Sequence, residues 1–231
     1  VLIRVDGVGA VAAVRVVTGD VLAKLDKTGT LTHKFQAKSR TRVVTSVLVS
    51  KADTSNVMTH LVAPRRGAQL VSTAATPDPA TFIPVRQLYR ILVQLVGSVV
   101  RDPGIDQERN RGAVLHKLVC AALPNTPFDD SGRFPDVLAQ LLEIKLQTAS
   151  TIDLGLVCPD STEQLADSEF RHCDVRYAVF YASSAKSTVR LEALDLSTGA
   201  DFFTFFQRFV GRVRNSKIQI PLPRDFFGQS K

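Results

Sequence analysis

Two kinds of hydrophobic spacing divide this chain, and the change from one to the other limits the folds open to it. Up to about residue 70 the apolar residues come in short runs rich in Val and Thr: Val11 to Val17, Val21 to Leu25 and Val43 to Val49, separated by Gly, Thr and Ser. Such runs are strand and turn chemistry, because β-branched side chains pack well on a pleated surface. A segment from Pro64 to Pro84 interrupts regular structure and marks a candidate boundary. Beyond it, apolar residues recur at helical spacing (Leu88, Ile91, Leu92, Leu95; then Val114, Leu115, Leu118, Val119), which predicts helices over Val85 to Val100 and Asp106 to Leu123. Phe134 to Leu138, Leu141 to Gln147, Asp153 to Val157, Arg176 to Ser183 and Thr188 to Leu196 predict strands, and Asp201 to Arg214 a terminal helix. The expected fold class is α/β, with a strand-rich region over residues 1–80 and an α/β domain over 81–231.

At 231 residues and 45% hydrophobic content the chain can bury one good core or two small ones. The longest uncharged apolar stretch, Ile91 to Val100, is half the roughly 20 residues that span a bilayer, and no charged-then-apolar leader opens the sequence. No membrane association is expected. The first residue is Val1 and the single methionine is Met58, which reads as a trimmed start. Three cysteines, Cys120, Cys158 and Cys173, form no CxxC pair, which favours a reducing compartment and makes the cytoplasm the default. The net charge of +7 is uneven. Residues 1–80 carry 11 Lys and Arg against 5 Asp and no Glu, whereas residues 81–231 carry 18 against 17. A basic N-terminal third suits a polyanionic partner, since cationic side chains on nucleic acid release condensed counterions; the alternative is a solvated basic surface.

Two phosphate-type motifs lie in that third. Asp26-Lys27-Thr28-Gly29-Thr30-Leu31-Thr32 matches the phosphorylation loop of P-type ATPases, in which the Asp is a nucleophile at a strand end. That chemistry also needs a downstream Lys and a Gly-Asp metal loop, and the one Gly-Asp pair, Gly19-Asp20, lies upstream. The competing expectation is a β-hairpin turning at Lys27 to Thr30 between Val21–Leu25 and Leu31–Ala37. Gly7-Val8-Gly9-Ala10-Val11-Ala12 imitates a dinucleotide fingerprint, but Gly19 leaves under three helical turns for the crossover.

The constellation with most chemistry is Phe134-Pro135-Asp136 followed by Leu142-Glu143-Ile144-Lys145-Leu146-Gln147. Strand alternation puts Glu143, Lys145 and Gln147 on one face and Leu142, Ile144 and Leu146 on the other, toward a core. A hairpin about Ala139-Gln140 sets Asp136 opposite Glu143 on that same face, within reach of one cation. Ala-Gln lacks the Gly or Asn that a two-residue turn prefers, so a looser loop is the alternative. Two carboxylates and a lysine suit phosphodiester hydrolysis: the carboxylates bind a hard cation such as Mg²⁺, which lowers the pKa of a bound water, and the ammonium stabilises developing charge. The competing structural account is a surface strand with a cross-strand ion pair.

These residues resemble the PD-(D/E)xK nucleases, and within them bacterial type II restriction endonucleases. The resemblance runs from about Gln107 to Phe206. It rests on Glu108-Arg109-Asn110-Arg111-Gly112 with Leu115-His116-Lys117-Leu118, on Phe134-Pro135-Asp136 with Glu143-Ile144-Lys145, and on Thr151-Ile152-Asp153-Leu154-Gly155. It implies a restriction-endonuclease-like mixed β-sheet flanked by helices, Mg²⁺-dependent cleavage of double-stranded DNA, a homodimer and a bacterial cytoplasm. Asp136 and Glu143 look like the metal ligands and Lys145 like the catalytic lysine. Glu108 is similar to the further acidic residue that some members use.

DNA contact is expected from Lys34, Lys38, Arg40, Arg42, Arg65 and Arg66. The first four have the same parity, so an unbroken strand over Leu31 to Arg42 places them on one face. His116 and Cys120 share a helix face and His172-Cys173 are adjacent, but the four lack zinc-ligand spacing and read as packing residues. Phe202, Phe203, Phe205, Phe206 and Phe209 suit either a core or a base-stacking surface. The functional expectation is a site-specific type II deoxyribonuclease. The alternatives are a catalytically inactive DNA-binding module and an aspartyl-phosphate enzyme built on Asp26.

Overall fold

The structure, a computed structural model, describes residues 1–25, 35–40, 45–60, 72–102, 108–124, 126–128, 134–166, 168–185, 187–209, 220, 222–223 and 225–228, with the backbone alone at 20, 23, 108–110 and 209. In chain order the elements are β1 (Leu2–Val5), β2 (Val11–Arg15), α1 (Gly19–Leu25), β3 (Phe35–Lys38), β4 (Val47–Leu48), α2 (Ser55–His60), α3 (Val85–Leu92), β5 (Val99–Arg101), α4 (Glu108–Ala122), β6 (Leu142–Gln147), β7 (Thr151–Gly155), β8 (Arg176–Ala185), β9 (Thr188–Thr198), α5 (Phe202–Phe205) and β10 (Gln207–Phe209). The fold is mixed α/β, and no helix among the described residues is long and apolar enough to cross a membrane.

A five-stranded mixed sheet forms the centre. The long antiparallel hairpin β8–β9 is its spine, β6 pairs in parallel with β8, and β4 (parallel) and β5 (antiparallel) share the outer edge of β9. The first six residues of β8, Arg-Tyr-Ala-Val-Phe-Tyr, are all buried, as expected of a strand covered on both faces. On one face Leu142, Ile144, Ala178, Phe180, Leu194 and Leu196 pack under α3 and α4, through Leu88, Leu92, Leu115 and Val119. The opposite face presents Tyr177, Val179, Tyr181 and Ala193 to a second, three-stranded antiparallel sheet ordered β10-β3-β7, through Ala37, Ile152 and Leu154, and to Phe202 and Phe206. The mixed sheet is therefore covered by longer helices on one face and by a small sheet with short helices on the other.

Several sequence expectations change. Val21 to Leu25 belongs to helix α1 instead of a strand: the Thr18 hydroxyl accepts the Val21 N–H at 3.4 Å, and Leu, Ala and Lys propagate helix better than Val opposes it. The helix expected to reach Val100 stops at Leu92, followed by one 3-10 turn and by Gly97 at φ 92°, so that Val99 and Val100 enter β5. The expected terminal helix is a single turn, Phe202–Phe205. Phe206 is extended and stacks on Phe202 with ring centroids 4.4 Å apart, and the chain then leaves as β10 to pair with β3. Nor does residue 80 separate two cores, because β3 and β4 pair with strands of the later part.

Buried ion pairs bind these layers. Arg111 of α4 grips Asp102 with two bonds of 2.7 and 2.6 Å, and Ser184 of β8 donates to the same carboxylate. Arg40, two residues beyond β3, donates to Asp195 of β9 at 2.8 Å and to the Thr45 carbonyl at 2.9 Å, with its guanidinium over the rings of Tyr181 and Phe205.

Arg40→Ala leaves a buried carboxylate unpaired and should cost about 3 kcal/mol of stability in urea melts. Burial pushes the Asp195 carboxyl up to about 6 from 3.8, against the pull of Arg40. Folding then takes up a proton over about pH 4 to 6, so this group's contribution to stability is full at the acid end and is lost as pH rises, by about 3 kcal/mol in all. Asp195→Asn should remove that slope from melts run at several pH values.

Candidate functional site

Val137 and Leu142 exchange both backbone hydrogen bonds, Val137 N–H to Leu142 O at 2.9 Å and Leu142 N–H to Val137 O at 3.0 Å. They close a hairpin whose loop is four residues, a 3-10 turn over Leu138–Gln140 and then Leu141. The expected two-residue turn about Ala139-Gln140 is thus replaced by a longer one, yet the register that sets Asp136 opposite Glu143 is the expected one. Leu141 takes φ 44° and ψ 44°, a left-handed conformation that favours Gly or Asn. Tertiary contacts hold it there: its side chain is fully buried in the second core and its carbonyl accepts the Arg176 N–H at 2.6 Å.

The hairpin gathers two carboxylates and an ammonium. The Asp136 N–H donates to Glu143 Oε2 at 3.1 Å, the Ile144 N–H donates to Asp136 Oδ2 at 2.8 Å, and Lys145 Nζ lies 2.8 Å from Glu143 Oε1. Each carboxylate is oriented by the backbone of the other's strand. Leu142 and Ile144 enter the helix-side core as the alternation requires, and Leu146 packs against it. Glu143, on the other face, is buried at 6% exposure rather than solvated as a surface ion pair would be. Burial alone lowers the Lys145 pKa, but Glu143, Asp136 and Asp153 prevail and raise it, so the side chain is an ammonium at neutral pH.

Further side chains support this hairpin, and of these the parts played by Tyr177 and Gln140 had no sign in the sequence. The Phe134–Pro135 peptide is cis, and the Phe134 ring stacks on His172 at 5.3 Å and lies near Tyr177. Tyr177, beside Glu143 in the β6–β8 register, has a buried hydroxyl without a hydrogen-bond partner; burial first, and then Glu143, hold its pKa well above the ordinary value. Gln140 is the clamp of the loop: its amide accepts the Ile83 N–H at 3.0 Å and donates to Thr81 O at 2.8 Å, tying the motif to the segment that enters α3. A lone Gln in a turn carries no sequence signal for such a role.

Other expected residues are placed differently. Lys38 is exposed at the end of β3, whereas Arg40 turns inward to Asp195, so the two do not share an open face. Lys34, Arg42, Arg65, Arg66 and the Asp26 motif lie outside the described residues. The chain leading to Asp26 is helix α1, not the strand that a phosphorylation loop needs. Glu108 is the first residue of α4, and its side chain is outside the description. Gly7-Val8-Gly9 forms the turn of the β1–β2 hairpin, with Gly9 at φ 85°, which removes the dinucleotide-binding geometry. His116 packs edge-on against Phe128, and His172 stacks on Phe134, as expected of packing residues. Among the described residues no group of three or more His, Cys, Asp or Glu is placed to hold a metal ion.

Gln140→Ala should cost about 2 to 4 kcal/mol, since it strands two backbone groups, the Ile83 N–H and the Thr81 carbonyl, in a buried setting; thermal melts measure this independently of any activity. Comparison of the chain with protein-family models, with curated proteins and with solved structures finds no match, and the geometry of the hairpin is what carries a functional reading.

Proposed function

We propose that this protein is a Mg²⁺-dependent endonuclease that hydrolyses phosphodiester bonds in double-stranded DNA, a site-specific enzyme of the type II restriction class. The observation that carries the reading is the convergence of Asp136, Glu143 and Lys145 on one hairpin, with each carboxylate held by a backbone N–H. The donor set fits the cation. Mg²⁺ takes oxygen ligands and is commonly held by one or two carboxylates, with waters and substrate phosphate completing its shell, and a carboxylate oxygen that accepts one N–H keeps a further lone pair. When bound, Mg²⁺ would supply Lewis-acid activation of water and neutralise charge on the phosphate.

The chain's own part follows from its electrostatics. Asp136 and Glu143 hold the cation. Lys145, an ammonium 2.8 Å from Glu143, is placed to stabilise charge that develops on the phosphate. Glu108 remains the candidate for a further acidic group. The basic N-terminal third would grip the duplex backbone, with Lys38 the exposed one among the expected contact residues that are described and Lys34, Arg42, Arg65 and Arg66 the other candidates. Cutting both strands takes two sites or two successive visits by one, and a homodimer in a bacterial cytoplasm would provide two.

Incubation with mixed plasmid and phage DNA, followed by end sequencing, tests the reading. Discrete fragments with common ends are expected with Mg²⁺ or Mn²⁺, and none with Ca²⁺ alone. Undiminished cutting in excess chelator, or intact DNA that only shifts in mobility, would overturn it. Lys145→Ala should slow cleavage by about 10² to 10³ while sparing DNA binding, and Asp26→Asn should change little. If Lys38 meets phosphate, Lys38→Ala should weaken binding to all duplexes alike and reduce the salt slope by about one.

A further inference from the structure

A cavity of about 480 Å³ opens between α2, the segment Pro79–Pro84 and the first turn of α3. Its volume is in the range of small-molecule sites, which pair a mainly apolar lining with a few placed polar groups. Val57, Met58 and Phe82 supply the apolar lining, and Lys51 and Arg86, both exposed, stand in the same lining.

The charge of the lining is one-sided. Asp53 is the single acidic residue among its described members, and that carboxylate is neutralised within the wall. Its Oδ2 accepts the Val85 N–H at 2.9 Å, and its buried Oδ1 lies 3.5 Å from Nε of the fully buried Arg176. Arg176 is itself fixed, with Nη1 donating to the Ile83 carbonyl at 2.6 Å and the guanidinium 3.9 Å from the centroid of the Phe82 ring. Asp53 and Arg176 cancel, which leaves the cavity the positive charges of Lys51 and Arg86. Neither of these is ion-paired with a carboxylate of a described residue. The Arg86 Nε donates to the Lys51 carbonyl at 2.5 Å, which sets the plane of the guanidinium, while its two terminal nitrogens donate to no described group. Two parallel N–H groups at the end of a fixed guanidinium match the two oxygens of one carboxylate.

These features select the ligand by its two ends. A cation is repelled by the net charge of the lining, a neutral apolar molecule leaves the Arg86 fork unused, and a small hydrophilic anion leaves the apolar wall uncovered. We propose that this cavity binds a small organic acid, with its carboxylate held by the terminal nitrogens of Arg86 and by Lys51 and its apolar body against Val57, Met58 and Phe82. The site uses none of Asp136, Glu143 and Lys145 and does not rest on the nuclease reading.

2-Naphthoate is the probe, because its own fluorescence anisotropy reports binding to the unaltered chain, which has no tryptophan to interfere. Saturable binding is expected, with displacement by octanoate. Octylamine, which reverses the charge of the head, and acetate, which lacks the body, should each displace it at least about ten-fold less well. Arg86→Ala should weaken binding about ten-fold, and Arg86→Lys should recover only part of the loss, because an ammonium keeps the charge without the fork. Met58→Glu, at a lining position that is 58% exposed, places a like charge beside the ligand and should also weaken binding about ten-fold. Its exposure makes it the deciding variant if thermal melts show Arg86→Ala to be unfolded. Lys145→Ala should bind as the unaltered chain does. Absence of saturable binding by both acids, displacement by octylamine equal to that by octanoate, unchanged binding in folded Arg86→Ala or in Met58→Glu, or loss of binding in Lys145→Ala would overturn the proposal.

Discussion

Six residues of β6 pair in parallel with Arg176 to Tyr181 of β8, and both the core and the candidate site depend on that ladder. Because side chains alternate along a strand, one register decides two things at once. It sends Leu142 and Ile144 into the core beneath α3 and α4, where each contributes roughly 1.5 to 3 kcal/mol of burial, and it sets Glu143 beside Tyr177 and Lys145 beside Val179 on the other face. A slip by one residue would bury the charges under the helices and cost far more than any local rearrangement could recover. The hydrophobic pattern of β6 thus enforces the position of its charged residues.

Charge inside this fold is placed where it joins layers. Arg111 and Asp102 fasten α4 to the β5 edge, Arg40 and Asp195 fasten the small sheet to the central one, and Arg176 with Asp53 fastens β8 to the segment before α2. Buried pairs add little net stability over apolar packing, but breaking one is costly, so they specify which layers meet. Glu143 and Lys145 differ in that both belong to one strand, the edge strand of the central sheet, so their pair joins no layers.

The β1–β2 hairpin shows the opposite extreme. Ile3, Val5, Val11 and Val14 are all more than half exposed, and among the described residues it meets the rest of the chain through cation–π contacts of Arg4 and Arg15 with Phe227 and Phe226 and a hydrogen bond from Arg15 to the Phe226 carbonyl. A two-stranded ribbon with so little buried surface has a low local unfolding free energy, in contrast to the doubly covered β8.

Alternation in Leu142 to Gln147 and the long apolar runs of β8 and β9 made the central strands, α4 and the facing of Asp136 and Glu143 legible from residues alone, because periodicity records which side of an element is buried. Elements whose identity depends on distant partners were not legible. Val99 and Val100 leave a helical pattern only because β9 offers an open edge; Phe206 ends a helix because Phe202 and the second core take its ring; Arg40 turns inward because Asp195 lies buried across the interface between sheets. The same holds for the loop of the motif, where Leu141 accepts a left-handed backbone and Gln140 clamps Thr81 and Ile83. Local sequence determined the period and the chemistry of each segment. The tertiary structure alone decided the pairings between segments far apart in the chain, since the free energy of those contacts exists only when both partners are in place.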